Sequence, residues 1–467
     1  MNTRIHAHSH SRTCANDMTE GPLLGKLVRY AVPLWLTGLM QIAFHAADMA
    51  VIGRFGSDKS MAAIGAIGEL SWLLVCVVIG ISSGSSVLVA QMFGAKDRRG
   101  LRRAVHTSIA FALASGIVLA VLGQLLLSPA LCWINVPEEL RPLSLRYLRI
   151  CFSRYPLMMV GNFSYSILRG IGDSRRPLYF LLAASGVNLV LNIVFVRFLG
   201  MDVEGVAIAT VISEVVASGL SVTALLRERG GARLVPRCIR FYPAELKRIL
   251  WIGVPSGVQY ACYALANTII QSAINTLDTD SIAGNTSAVI VEMALHTWSS
   301  ACFVTVMTAV GQNFGARKYR RAVRSVLSCL LIGAGSMVVL GSLTVRNGEF
   351  LLGLIKTDPK VVSCGMVRIK INLSVYFLLA TMDVLSGALR GFGRSVTPMA
   401  VTLVGACGLR VVWVYTVFRS SPTLGTLYMA FPLSWVCVSL VNGAALFLVC
   451  RALVAGKKDS RVLKFIR

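Results

Sequence analysis

The most constraining feature of this sequence is a ten-residue stretch that occurs twice. LRGIGDSRRP returns 221 residues later as LRGFGRSVTP, and VAQMFGAK returns at the same offset as VGQNFGAR. A pair of prolines has an offset of 222. The paired positions are 168–177 and 389–398, 89–96 and 310–317, and Pro33 and Pro255. Since three pairs rarely share a spacing by chance, the chain is predicted to be a duplication of two similar halves.

Composition places these halves in a membrane. Hydrophobic residues make up 55% of the chain and charged residues 14%, whereas a soluble protein carries about a quarter charged residues. Apolar runs of about 20 residues, the length that crosses a bilayer, recur throughout. The net charge of +25 therefore predicts loops that face anionic lipid rather than nucleic acid.

Apolar runs and helix breakers predict twelve transmembrane helices, six in each half. An even number of crossings returns the chain to its starting side, so the second half enters in the same orientation as the first. The fold class is therefore an all-α polytopic protein whose two six-helix lobes are related by a pseudo-two-fold axis along the membrane normal. The predicted helices are 27–53, 61–90, 104–128, 143–168, 177–199, 204–226, 246–275, 283–310, 322–345, 364–389, 396–418 and 426–450.

Basic residues predict the orientation of these helices. They concentrate in the loop after the second helix, in its copy after the eighth, in the linker between the lobes and in the C-terminal tail. Both termini are therefore predicted to be cytoplasmic, in a multi-pass protein of the cell membrane, the inner membrane of a bacterium. The predicted segments are a disordered tail 1–22, an N-terminal lobe 23–226, a linker 227–245, a C-terminal lobe 246–451 and a basic tail 452–467.

No sequence motif indicates an enzyme. GxxxxGK[ST] and HExxH are absent, and the one GxSxG match, GISSG at 80–84, falls inside a predicted apolar helix rather than at a strand-to-helix turn, so no nucleotide-binding, zinc-protease or serine-hydrolase site is expected. No metal site or cofactor is predicted either. The paired Pro33 and Pro255 fall within helices, where proline removes a backbone donor and bends the helix. They are candidate hinges.

Polar residues inside the membrane are costly and are therefore candidate functional residues. Asp48, Asn192 and Thr210 fall near the outer ends of three helices, at roughly 8–9 Å depth if each residue rises about 1.5 Å, and Asn188 lies one turn deeper than Asn192 on the same helical face. Their oxygen atoms suit a proton or a small hard cation. The alternative is that the two asparagines and the threonine only bond neighbouring helices.

The second lobe carries a different set of candidates. Glu292 and Asp383 are each expected to lie roughly 18–20 Å deep, near the middle of the membrane. His296 shares a helical face with Glu292. These residues are candidates for proton transfer. The alternative is a buried ion pair with Arg410, or bonds to nearby amides.

Several motifs resemble those of the MATE (multidrug and toxic compound extrusion) family. The stretches DMAVIGRFG (48–56) and MAAIG (61–65) are similar to the family's first-helix signature. QMFGA (91–95) and the stretch 168–177 are similar to its loops after helices 2 and 4. The resemblance covers essentially the whole chain.

The resemblance implies twelve helices in two bundles and export of organic cations and drugs, driven by inward flow of H⁺ or Na⁺. It implies an ion site in which Asp48, Asn188 and Thr210 match family positions. At Asn192 the family often has aspartate, which leaves the coupling ion open. Tyr263 stands where some members carry a glutamate on helix 7.

Two alternatives remain. A flippase of lipid-linked sugars belongs to a related superfamily, but few arginines and lysines fall within the predicted helices to bind its phosphate. A membrane-embedded enzyme would need a catalytic pair at one depth, for which only Glu292, His296 and Asp383 qualify. The expected partners are small organic cations and the lipid bilayer, without nucleic acid, and the expected state is a monomer.

Overall fold

The computed structural model describes residues 16–55, 58–133 and 137–454, and all regular structure in these ranges is helical. Most of the predicted N-terminal tail (1–22) and most of the predicted C-terminal tail (452–467) lie outside the described residues. The first half contains α1 (Leu23–Phe55), α2 (Asp58–Gly94), α3 (Arg98–Trp133), α4 (Arg141–Ser153), α5 (Tyr155–Gly170), α6 (Arg175–Asn192) with a π-helical turn (Ile193–Phe198), and α7 (Val203–Arg227).

The second half repeats this order with more breaks. It contains α8 (Pro243–Ile274), α9 (Thr279–Gly315), α10 (Tyr319–Arg346), α11 (Gly348–Gly353), α12 (Pro359–Leu373), α13 (Phe377–Gly391), α14 (Val396–Thr402), a π-helical turn (Leu403–Gly408), α15 (Leu409–Trp413), a second π-helical turn (Val414–Phe418), α16 (Leu424–Tyr428) and α17 (Ala430–Val454). Two short 3₁₀ turns lie in the linker, at Gly230–Ala232 and Pro236–Cys238.

Ten of the described helical segments are long and apolar enough to cross a membrane. The pair α12 and α13 bends by 49° at its break and forms an eleventh span if counted as one. The predicted helix 143–168 is divided between α4 and α5 at Arg154, two residues before Pro156. Proline at the second position of α5 explains the break, because it has no backbone N–H to donate to the carbonyl group four residues earlier, in α4.

The duplication is visible in the backbone itself. Lys96 and Arg317, 221 positions apart, both have positive φ angles, of 55° and 58°. Gly172 and Gly393 share the same offset and have φ angles of 94° and 82°. The π-helical turns that begin at Ile193 and Val414 are again 221 positions apart. Two halves with the same rare backbone conformations confirm the predicted repeat.

Pro33 and Pro255 lie inside α1 and α8, which are continuous helices. α8 packs along α2, and α1 packs along α9, so each proline-containing helix contacts the opposite lobe. The apolar core of the second lobe accordingly includes Leu27 and Tyr30 of α1. Neither helix is interrupted at its proline, and the hinge role stays a prediction.

The lobes meet most closely along glycines of α2 and α8, which we call the glycine seam. A side chain at Gly84 would overlap the carbonyl oxygen of Ile249, and one at Gly253 would overlap that of Ile81. A side chain at Gly80 would overlap the backbone of Gly257. Because glycine has no side chain, it lets two helix backbones approach this closely.

The two repeated sequence motifs bind each other across the lobes. The Gln91 side chain donates to the carbonyl oxygen of Gly391 (3.0 Å), and the equivalent Gln312 donates to that of Gly170 (3.0 Å). We call this reciprocal pair the glutamine lock. It lies at the end of the bundle that carries the N-terminal residues and the basic loops, which we call the basic end. The motifs conserved between the halves therefore hold the lobes together at this end.

Candidate functional site

Asp48 lies on α1 and is half-buried. Its Oδ1 accepts a hydrogen bond of 2.6 Å from the side-chain amide of Asn192 on α6. Among the described residues, no lysine, arginine or histidine forms an ion pair with this carboxylate. Asp48 is therefore a membrane carboxylate held by a neutral donor.

The same asparagine connects Asp48 to a second amide. Asn192 Nδ2 also donates to Oδ1 of Asn188, one turn earlier on α6, at 3.1 Å. Asn192 is 0% exposed, and its own Oδ1 has no hydrogen-bond partner. A buried acceptor beside an unneutralised carboxylate is electrostatically suited to a proton donor or a small cation. The structure thus brings together Asp48, Asn188 and Asn192, as predicted.

Thr210, the fourth predicted member, does not bond to this group in the structure. Its hydroxyl donates to the carbonyl oxygen of Val206 in its own helix, at 2.8 Å. Ser213, one turn further along α7, contacts the group instead by accepting from Asn188 at 3.4 Å. The three-residue spacing from Thr210 to Ser213 was a signal for this residue, since positions i and i+3 share a helical face.

Glu292 of the second lobe is fully engaged by other side chains. Arg368 donates to Oε2 at 2.7 Å and Asn372 donates to Oε1 at 2.8 Å. Arg368 also donates to Asn285 at 2.5 Å. The alternative of a buried pair is thus the one observed, but with Arg368 in place of the expected Arg410. The charge of Arg368, inside a predicted apolar helix, was the signal that the sequence offered.

Asp383 makes a different set of contacts from Glu292. Ser299 of α9 donates to Oδ2 of Asp383 at 2.6 Å, and Asp383 interacts electrostatically with His296 and Arg390. His296 lies four residues after Glu292 in the continuous helix α9 and so shares its helical face, as predicted; it also lies near Asp383. Among the described residues, no hydrogen bond or ion pair joins Glu292 to Asp383.

Buried arginines are more numerous than the flippase argument assumed. Arg368, Arg390 and Arg410 are 8%, 1% and 3% exposed. Arg390 donates to Gln259 and lies over the ring of Phe303, while Arg410 donates to Ser434 and Asn267. Scarcity of buried arginine is therefore no argument against phosphate binding. The present contacts of these guanidinium groups are nevertheless all within the second lobe.

In the described ranges, no three His, Cys, Asp or Glu side chains lie together as a metal site would require. A cation at Asp48 would instead take one carboxylate and amide oxygens. This donor set fits a proton or an alkali ion better than a transition metal, which prefers imidazole or thiolate ligands.

Comparison with known proteins gives the same picture of two halves. Residues 33–194 and 255–416 each match the MatE family model, and the two matches begin at the paired prolines. "Probable multidrug resistance protein YoeA" of Bacillus subtilis (strain 168) is 27% identical over 395 residues, which cover 82% of this chain and 84% of that protein. "Probable multidrug resistance protein NorM" of Thermotoga maritima is 24% identical over 385 residues, which cover 81% and 82%.

A solved structure described as MATE in complex with MaL6 has a TM-score of 0.89 to this chain at 20% identity. The match covers 95% of this chain and 100% of that one. This likeness confirms the predicted all-helical, two-lobed membrane fold. Together with the two matches to the family model, it establishes that the chain belongs to the MatE family of membrane transporters.

Proposed function

We propose that this protein is a secondary antiporter that exports organic cations and other drugs in exchange for H⁺ or Na⁺. The carrying observation is Asp48, a membrane carboxylate bound by the Asn192 amide and not neutralised by any described cationic side chain. Two relatives, both named as probable multidrug resistance proteins, support drugs as the substrate class.

Competition at Asp48 would couple the two flows. An ionised Asp48 attracts a cation, whereas a protonated or sodium-bound Asp48 attracts an organic cation less strongly. Entry of the coupling ion from outside would then favour release of the drug. For the ion to reset the cycle, it must bind one conformation more tightly than the other, since equal affinity shifts no equilibrium.

The second lobe has one remaining candidate for coupling. Asp383, with His296 nearby, is placed to take part in proton transfer. Glu292 instead serves as the partner of Arg368, which makes it a structural residue in this proposal. The match to the MatE family supports transport over the enzyme alternative.

The binding site becomes accessible from alternate sides of the membrane because the lobes separate at one end while they close at the other. Contacts at the glutamine lock and the glycine seam hold the basic end closed. The concentration of arginine and lysine at this end supports a cytoplasmic position for it. In this proposal the structure corresponds to a state closed towards the cytoplasm, and the protein works as a monomer within the bilayer.

The test uses purified protein in liposomes loaded with a cationic dye. Gradients of H⁺ and Na⁺ are imposed separately, and dye movement is followed for the wild type and Asp48→Asn. We expect one of the gradients to drive movement by the wild type. Asp48→Asn keeps the shape and hydrogen bonding but removes the titrating charge, so its gradient-driven movement should fall to the level of protein-free liposomes.

Dye binding to detergent-solubilised Asp48→Asn controls for misfolding and should be retained at least in part. Asp48→Glu, which keeps the charge, should recover part of the transport. Undiminished transport by Asp48→Asn across a range of external pH would remove Asp48 from the mechanism. Absence of dye movement by the wild type under both gradients would contradict the proposed function.

A further inference from the structure

Residues 16–22, which precede α1, lie against both lobes at the basic end; we call them the N-terminal strap. The sequence assigns them to a disordered tail, yet Met18 is 0% exposed and belongs to the apolar core of the second lobe. Thr19 is 4% exposed. Polar composition suggested disorder here, whereas the strap is fixed mainly through its backbone atoms, which composition does not reveal.

The strap binds the second lobe through Gln312, Asn313 and Arg321. The backbone N–H of Met18 donates to Oε1 of Gln312 at 3.0 Å. The carbonyl oxygen of Met18 accepts from Asn313 at 3.2 Å and from Arg321 at 3.0 Å. Both polar backbone groups of one buried residue are therefore satisfied by the second lobe.

Two basic side chains extend this attachment. Arg321 also donates to the carbonyl oxygens of Glu20 and Gly21, at 2.9 and 2.7 Å. Lys318 donates to that of Thr19 at 3.0 Å. Hydrogen bonds from a charged donor are stronger than neutral ones, so Arg321 is the principal anchor of the strap.

The strap also binds the first lobe. The backbone N–H of Asn16 donates to the carbonyl oxygen of Gly172 at 3.1 Å. Gly172 has a φ angle of 94°, and a side chain there would overlap the carbonyl oxygen of Asn16. At the surface, Glu20 lies 3.8 Å from Lys96 of the first lobe and 3.8 Å from Lys318 of the second. The strap thus bridges the lobes where the glutamine lock joins them.

We propose that the N-terminal strap is a latch that holds the basic end closed and must release once in each transport cycle. Opening this end would move Gly172 away from Gln312, so the strap could not keep its bonds to both lobes. A segment that binds one conformation only shifts the population towards it. The latch rests on the alternating access of the proposed function and adds an element that acts on it.

Symmetry supports a dedicated role for the strap. Gln91 and Gln312 are equivalent residues that make equivalent bonds across the lobes. Gln312 additionally binds Met18 of the strap. One half of a symmetric lock has therefore acquired a further contact, from a segment that precedes the duplicated halves.

The test measures the opening of the basic end in the full-length protein in lipid nanodiscs. Arg99 and Arg320, exposed residues of opposite lobes, are each replaced by an unnatural amino acid that carries a spin label. Double electron–electron resonance then gives the distribution of distances between the two labels. Arg321→Gln removes the charged anchor of the strap and should raise the ratio of long to short distances by roughly tenfold, the effect of losing a few hydrogen bonds. Arg324→Gln, an exposed charge on the same helix, is the matched control and should leave the distribution unchanged.

Two further variants separate the strap from the lock. Gln91→Ala and Gln312→Ala each remove one bond of the glutamine lock, but Gln312→Ala also frees the strap and should open the basic end more. Met18→Asp, which places a charge in a buried site, should open it without touching either glutamine. Equal distributions for Arg321→Gln, Met18→Asp and the Arg324→Gln control would overturn the latch.

Transport assays distinguish failure of the latch from failure of the proposed function. If Arg321→Gln opens the basic end while the wild type moves no dye under either gradient, the latch stands and the proposed function fails. If the wild type transports and the distances do not respond to release of the strap, the latch fails alone.

Discussion

Asp48 and Glu292 are both carboxylates inside a membrane bundle, one in each lobe, and their surroundings differ. Asp48 accepts from the neutral Asn192, and no described cationic side chain forms an ion pair with it. Glu292 accepts from Arg368 and Asn372, so both of its oxygens are occupied and its charge is neutralised. The comparison teaches that depth in the membrane does not identify a functional carboxylate. What matters is whether a cationic side chain already occupies the place that a transported ion would take.

The largest stability effect should come from breaking the second-lobe pair. Glu292→Gln leaves the Arg368 guanidinium buried without its counter-charge, which costs about 3–5 kcal/mol for a buried pair. We expect a clear fall in Tm, measured in detergent, whereas Asp48→Asn should change the Tm little because no cation loses its partner there.

An apolar replacement sharpens this expectation. Glu292→Leu combined with Arg368→Met removes both charges and should recover much of the lost stability, because no unpaired ion remains. If Glu292→Gln leaves the Tm unchanged but stops transport, Glu292 is a coupling residue after all and the contrast with Asp48 disappears.

A smaller effect should follow from adding a carboxylate beside Asp48. Asn192→Asp places a second negative charge at the site, the residue type that the family often has there, and should tighten Na⁺ binding about tenfold, or about 1.4 kcal/mol. Titration calorimetry at alkaline pH, where both carboxylates are ionised, measures this change.

The matched control for that experiment lies in the second lobe. Asn372→Asp adds the same charge beside Glu292, but Arg368 already offsets one of the two negative charges, so Na⁺ should bind this variant more weakly than Asn192→Asp. Equal Na⁺ binding by the two variants would show that the lobes do not differ in the way described.

The smallest effect should come from Ser213→Ala. The serine accepts from Asn188 at 3.4 Å, a long hydrogen bond whose loss should cost no more than about 0.5 kcal/mol. Affinity for the coupling ion should change by less than about twofold. A large loss of ion-driven transport would instead make Ser213 a direct ligand of the ion.

The sequence predicted the fold well because its strongest signals are periodic and repeated. Apolar runs located the helices, and the 221-residue offset located the two halves. The break between α4 and α5 was missed because an apolar run continues through it, although Pro156 marks the place. The 49° bend between α12 and α13 follows no proline or glycine in the connecting residues 374–376.

The site was predicted less completely, for a geometric reason. Counting residues from a helix end gives depth, but it does not say which neighbouring helix a side chain faces. Asp48 and Asn192 were therefore placed at one level correctly, while the partner of Glu292 was not identified. The resemblance to the MATE family indicated which helices face one another in the first lobe, where the family's motif includes Asp48. It gave no such information for the second lobe.

The positions of the π-helical turns bear on the gene duplication that produced the two lobes. A π-turn holds one residue more than an α-turn, and such turns begin at Ile193 and at Val414, the same offset that separates the repeated motifs. A single insertion in an ancestral six-helix protein, copied when that gene doubled, accounts for both. A further π-turn lies at Leu403–Gly408, whereas the equivalent residues of the first lobe form part of the ordinary α-helix α6. The offset of 221 holds before this turn, at Gly172 and Gly393, and after it, at Ile193 and Val414, so the two lobes differ here in backbone conformation without any net insertion.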